Sequence, residues 1–309
     1  MFTRTRICSI VLAGAICLGW GVRAWSQAAA GVAKDYQIKM SRSVKVGQTF
    51  RYTASGSEKS ARTITTGGKA VTKRDDLAFE VNGIREILTT DEKGEATKVA
   101  LTIDACVKIE GDKRTEVASK GTVAIISAAD GRKDVQAKDP NVTLSAEAAR
   151  ILKTAIQVHT APGNDDDAFG TDKRQRVGDS WPVNSEFMAQ SFSRMLGKEG
   201  ALRKEDVTGR TTLRGLTKVE GFDCLHLSAD VAIKNFIPPV PPGATVEKGD
   251  VTVSETGNLP IDQSIPMLGG ERTMTSSIMM KVKGPDGAEI TVEIKTEGAV
   301  TETIIPIRK

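Results

Sequence analysis

The stretch Val99-Ala100-Leu101-Thr102-Ile103-Asp104-Ala105-Cys106-Val107-Lys108-Ile109 carries an apolar side chain at every odd position. Side chains on an extended chain point alternately to opposite faces, so this period of two fits a strand with one face in a core and the other wet. Leu225, Leu227, Ala229, Val231 and Ile233 repeat the pattern. Shorter strands are expected at 36–40, 49–53, 77–81, 122–126, 250–253, 273–283 and 289–295. Gly284-Pro285-Asp286-Gly287 reads as the hairpin turn between the last two, because proline and glycine supply the dihedrals a turn needs. The expected fold is therefore mainly β (α+β): a large curved antiparallel sheet or half-barrel.

Two segments break the alternation. Ser145 can cap a helix running to about 158, with Ala148, Ile151, Leu152, Ala155 and Ile156 on one apolar stripe. A second helix follows Asn184 or Ser185, carries Met188, Phe192 and Met195 on one face, and stops at Gly197. Both stripes are narrow, which suits helices lying on a sheet. Between them, 161–176 holds Pro162, Gly163 and the run Asp165-Asp166-Asp167, and reads as an exposed linker. Three consecutive aspartates point in different directions and lack the alternating spacing of a calcium loop, so no metal site is expected. The proline-rich 237–243 reads as a rigid crossover.

A short echo suggests two related halves, at 34–160 and 177–309. Lys45-Val46-Gly47-Gln48-Thr49-Phe50 matches Arg176-Val177-Gly178-Asp179-Ser180-Trp181: a basic residue, Val and Gly, two polar residues, then an aromatic.

Residues 1–26 have the layout of a secretory signal peptide. Arg4 and Arg6 precede an uncharged apolar run from Ile7 to Val22, and Ala24-Trp25-Ser26 offers small residues for cleavage. The run falls short of the roughly 20 residues of a spanning helix. The alternatives are an uncleaved anchor and a lipid on Cys17, against which the bulky Ile16 counts. Cleavage would remove Arg4, Arg6 and Arg23 and no acid, so 43 basic and 39 acidic residues become 40 and 39. The mature chain is then a nearly neutral protein of the periplasm or the extracellular space, with no transmembrane span. It has no basic stripe, so no nucleic-acid partner is expected.

The chemistry is sparse. His159 and His226 are the only histidines, and nothing in their positions pairs them. Gly178-Asp179-Ser180-Trp181-Pro182 has proline where a nucleophile elbow needs its last glycine. No Ser-x-x-Lys and no glycine-rich phosphate cradle occurs. No catalytic residue and no cofactor is expected, and the chain does not read as an enzyme. Cys106 and Cys224 remain after cleavage; in an oxidising compartment they either form a disulfide or stay as two buried thiols.

Val177-Gly178-Asp179-Ser180-Trp181, followed by Leu213-Arg214-Gly215-Leu216-Thr217-Lys218-Val219-Glu220-Gly221-Phe222-Asp223-Cys224, resembles a family of uncharacterised exported bacterial β-proteins with a Gly-Asp-x-Trp turn. That resemblance implies no activity and no functional residue. More loosely, the architecture is similar to the periplasmic lipoprotein carriers, which implies helices over an apolar cavity on a curved sheet. The leading expectation is an envelope structural or interaction module with an envelope protein as partner. The alternative is a carrier for an apolar ligand such as a lipid.

Overall fold

β1 (Thr49–Thr66) shows how the sheet is specified. Phe50, Tyr52 and Ala54 point inward and are buried, while the residues between them are exposed. The same alternation carries β2 (Lys69–Thr90) and β3 (Ala96–Glu110). The computed structural model describes residues 34–129, 132–159, 163–196, 202–238, 240, 243–283 and 288–307. The segment 1–26 read as a signal peptide, Gly197 and the expected turn at 284–287 lie outside the described residues, as does part of the proline segment.

The remaining strands are β4 (Lys113–Glu116), β5 (Val123–Ala129), β6 (Arg132–Ala137), β7 (Ser180–Pro182), β8 (Val207–Val219), β9 (Phe222–Ile233), β10 (Ala244–Pro260), β11 (Gly269–Lys283) and β12 (Glu289–Pro306). They form one open, antiparallel 12-stranded sheet in the order β6-β5-β3-β2-β1-β12-β11-β10-β9-β8-β7, with β4 paired to β3. The mainly β expectation holds. The strands are longer than the alternation alone marked: in β1 and β2 the far halves carry mostly polar, exposed residues, whereas in β11 and β12 the far halves were marked and the ends near the cores, 269–272 and 296–306, were not.

Among the described residues three α-helices accompany the sheet: α1 (Ala146–Ala155), α2 (Asp165–Phe169) and α3 (Ser185–Leu196). Ser145 Oγ accepts the Ala148 amide at 3.0 Å, which caps α1 as its sequence predicts. Ala148, Ile151, Leu152, Ala155 and Ile156 are all buried, against Tyr52, Phe79, Leu101 and Ile126. Met188 is buried and Phe192 packs beside it, in a second core with Val207, Val231 and Ile233. A third core gathers Tyr36, Ile38, Trp181, Leu213, Leu225 and Leu227.

Two expectations are corrected. The segment read as an exposed linker contains α2, which Asn164 caps with reciprocal bonds to Asp167. Aspartates in a first turn complement the helix dipole, so the acidic run favours a helix start. The disulfide is not formed: Cys106 and Cys224 are both free and buried. They lie on β3 and β9, with five strands between. At about 4.8 Å per strand that is roughly 29 Å along the sheet, against a bridging limit of about 7 Å between Cα atoms. Cys106 stands at an even position of the alternating run, yet a bulge turns it to the buried face. Asn82 pairs with Ala105 but Gly83 with Ile103, so Asp104 is extra and Cys106 swings into the core under α1.

The echoed segments form matching turns. Gly47 and Gly178 both have positive φ, +81° and +96°. Their amides donate to Ile87 O at 2.9 Å and Leu213 O at 2.8 Å. Each turn then leads into an aromatic that is buried, Phe50 or Trp181.

Candidate functional site

Helices, the segment around residues 40–44 and the sheet enclose a cleft of about 400 Å3. Its floor is the middle of the sheet. Gly257, Gly270 and Glu302 sit side by side on β10, β11 and β12. A Cβ on Gly270 would meet Thr256 O at 1.9 Å, so that position accepts glycine only. At Gly257 a Cβ would stand 3.0 Å from Met267 Sδ, so the Met267 side chain lies over that position.

Around this floor the sheet presents one polar residue per strand. Arg85 comes from β2, Tyr52 from β1, Glu302 from β12, Arg272 from β11 and Glu255 from β10. Glu255 and Arg272 are register partners. Apolar groups complete the walls, among them Phe50, Ile87, Val158, Phe187, Met267 and Ile304.

Arg85 is 8% exposed. Its Nη2 donates to Gln157 O at 2.9 Å, and its buried Nε has no partner. Tyr52 Oη donates to Ala155 O at 2.7 Å and lies 3.2 Å from Glu302 Oε2. Lys133 caps the C-terminal end of α1 through the carbonyls of Lys153 and Ile156. Burial lowers its ammonium to about 8.

The acids of the cleft are all pushed toward their neutral forms. Burial moves Glu255 up to about 7, and the charge of Asp165 adds to it while Arg272 opposes it. Burial also raises Glu302, against the pull of Arg85 and Arg272, and raises Asp165 and Glu95. Asp165 lies deep between the elements yet is exposed to the cleft itself.

The residues singled out in the sequence scatter. Of the aspartate run, Asp165 faces the cleft, Asp166 accepts the Met40 amide at 2.6 Å and pairs with Lys39, and Asp167 pairs with Lys93 at 2.9 Å. His159 lines the cleft; its Nε2 has no hydrogen-bond partner and stands 3.9 Å from Asp91 Oδ2. His226 is elsewhere, bonded to Asn258 Oδ1 at 3.0 Å. Ser180 bonds Thr212 at 2.8 Å, a cross-strand pair and not a nucleophile with a base. Trp181 Nε1 donates to Phe169 O at 2.7 Å and anchors a core. Cys106 and Cys224 are not among the groups lining the cleft; burial raises both thiols, Cys106 to about 11.

Sequence reading missed Arg85, Arg272, Glu255 and Glu302. Arg85 and Glu302 stand in phase with inward-facing neighbours, in Val81-x-Gly83-x-Arg85-x-Ile87 and Val300-x-Glu302-x-Ile304; Arg272, between Gly270 and the exposed Met274, does not. A charge in the core phase of a strand is the signal that marks Arg85 and Glu302. Among the described residues no helix is long and apolar enough to cross a membrane.

No family model and no curated protein matches the sequence. Among solved structures, the chain is similar to one titled for lipid–protein interactions in lipovitellin, with 9% identity and a TM-score of 0.34 over 86% of this chain. It spans 26% of that chain, about a quarter of its length. It is also similar to a DUF1329 family protein from Desulfovibrio piger, with 12% identity and a TM-score of 0.19, over 80% of this chain and 84% of that one.

Proposed function

We propose that this protein is an exported, non-catalytic carrier or binding protein for an amphipathic ligand such as a lipid. The observation that carries the reading is the cleft of about 400 Å3, walled by Phe50, Ile87, Val158, Phe187, Met267 and Ile304. Ligand sites are concave and largely apolar, with few polar groups that orient the occupant. A fully packed interior would leave no cleft of this size between helices and sheet. The raised acids and unpaired Arg85 Nε also suit a site whose polar groups are completed by an occupant.

A second reading keeps the chain as an envelope interaction module. It rests on the far end of the sheet, where the register partners Ile64 and Val71 are 37% and 71% exposed on one face.

Native mass spectrometry on protein purified from its own envelope tests the first reading. A co-purifying apolar ligand, lost when Ile304, a wall residue, is replaced by Glu, is the expected result. A clean apo mass, together with failure to bind any apolar probe, would overturn it in favour of the interaction module.

A further inference from the structure

We propose that the cleft selects ligands with an anionic headgroup, seated on Arg85 between the sheet and the end of α1, with the apolar tail along Phe50, Ile87 and Ile304. The inference rests on the carrier reading and names the ligand class for the same site.

Arg85 supplies the strongest argument. A guanidinium keeps its charge and carries five donors in a fixed fork. This one is more than nine-tenths buried and makes one hydrogen bond, to Gln157 O. Its Nε is buried without a partner, and the side chain lines the cleft. A buried cation without a closely paired anion is unfavourable unless something supplies the missing contacts. Glu302 acts on Arg85 through charge, but its hydrogen-bond contact is with Tyr52. No ion pair joins Arg85 to a carboxylate among the described residues.

Arg272 adds a second positive group to the same wall. It lines the cleft, and among the described residues its guanidinium makes neither an ion pair nor a hydrogen bond. Arg272 faces its register partner Glu255 as well as Glu302, so the unfilled donors of this wall are those of the Arg85 guanidinium. A carboxylate or phosphate head has the charge and the paired oxygens to take up a guanidinium fork. Ser191 Oγ, buried in the cleft wall and also without a partner, offers a further donor. The acids facing this region, Glu95, Asp165 and Glu255, are shifted toward neutrality by burial and so oppose an anion less than their number suggests.

The test is displacement of the neutral probe N-phenyl-1-naphthylamine by a matched series: tetradecanoate, tetradecyl phosphate and tetradecanol, all below their micelle concentrations. The expected result is at least tenfold tighter binding of one or both anions than of the alcohol. Which anion binds more tightly separates a carboxylate from a phosphate source. Arg85→Gln should collapse the ratio toward one, and Arg85→Lys should keep part of it by retaining the charge. Equal binding of anions and alcohol by the unsubstituted protein would overturn the inference while leaving the carrier reading intact. Failure of every member, and of the probe, to bind would overturn the carrier reading itself. A folded Arg85→Gln protein with an unchanged ratio would remove Arg85 from the site, and the unsubstituted protein decides the headgroup question even where that variant does not fold.

Discussion

The main-chain amides of Lys45 and Arg176 make the same bond: each donates to the side chain three residues on, Gln48 Oε1 at 2.8 Å and Asp179 Oδ2 at 2.7 Å. The amides of Gln48 and Asp179 return bonds to the carbonyls of Lys45 and Arg176, at 3.1 Å and 3.0 Å. Their carbonyls then accept from Ile87 and Leu213, both at 3.0 Å. The short echo in the sequence is thus one turn built twice, each time pinning the start of a strand to its neighbour.

Replacing either turn glycine by alanine tests this equivalence. A Cβ on Gly47 or Gly178 meets nothing within 4 Å, so the cost is conformational alone. At positive φ it should be about 1 kcal/mol for each. Urea unfolding of the two variants should show similar losses; no loss at either site would dissociate the turns from stability.

Tyr52→Phe should lower stability by about 1–2 kcal/mol, because the buried Ala155 carbonyl at the end of α1 loses its donor. The ring itself, fully buried, keeps its packing. A loss below about 0.3 kcal/mol in urea unfolding would contradict the geometry of that bond.

Glu255 gives a pH dependence with a definite sign. Its carboxyl is raised from 4.5 to about 7 in the folded protein, so between those values the native state holds more protons than the unfolded one. Stability must then fall as pH rises through that window. Glu302, Asp165 and Glu95 are raised too and act in the same direction. Melting temperatures measured from pH 4.5 to 7.5 should decline, and Glu255→Gln should flatten the decline. A variant with the full slope would show that Glu255 titrates normally.

The free cysteines predict the behaviour of a thiol reagent. In a native chain beginning at residue 27, Cys106 and Cys224 should react slowly, since both are buried and burial holds both in the thiol form. In denaturant without reductant, two thiols should appear at once. Finding none would mean that a disulfide forms after all.

How far the fold could be read depended on how regular the local pattern was. The inward phase of Phe50, Tyr52 and Ala54 and the stripe of α1 are periodic, and the expected elements match them. Cys106 could not be placed, because one extra residue at Asp104 reverses the phase and alternation cannot see a bulge. The aspartates of α2 look like a solvated run until Asn164 is recognised as a cap. The cleft was the least legible part. Arg85, Arg272, Glu255 and Glu302 are far apart in sequence, and they meet because β2, β12, β11 and β10 lie near one another in the sheet. Strand order is a property of long-range pairing, which no local pattern encodes.

β1 and β12 are paired from Phe50 and Pro306 to Thr66 and Ile290, near opposite ends of the described chain. The seam at the middle of the sheet therefore closes last. A chain made or exported N-terminus first can assemble β1, β2 and β3 early, but the other edge of β1 stays unsatisfied until β12 arrives. For that interval a long strand edge is open to any passing chain. Protection from aggregation during maturation, more than final stability, is then the demand this topology places on the cell that makes it.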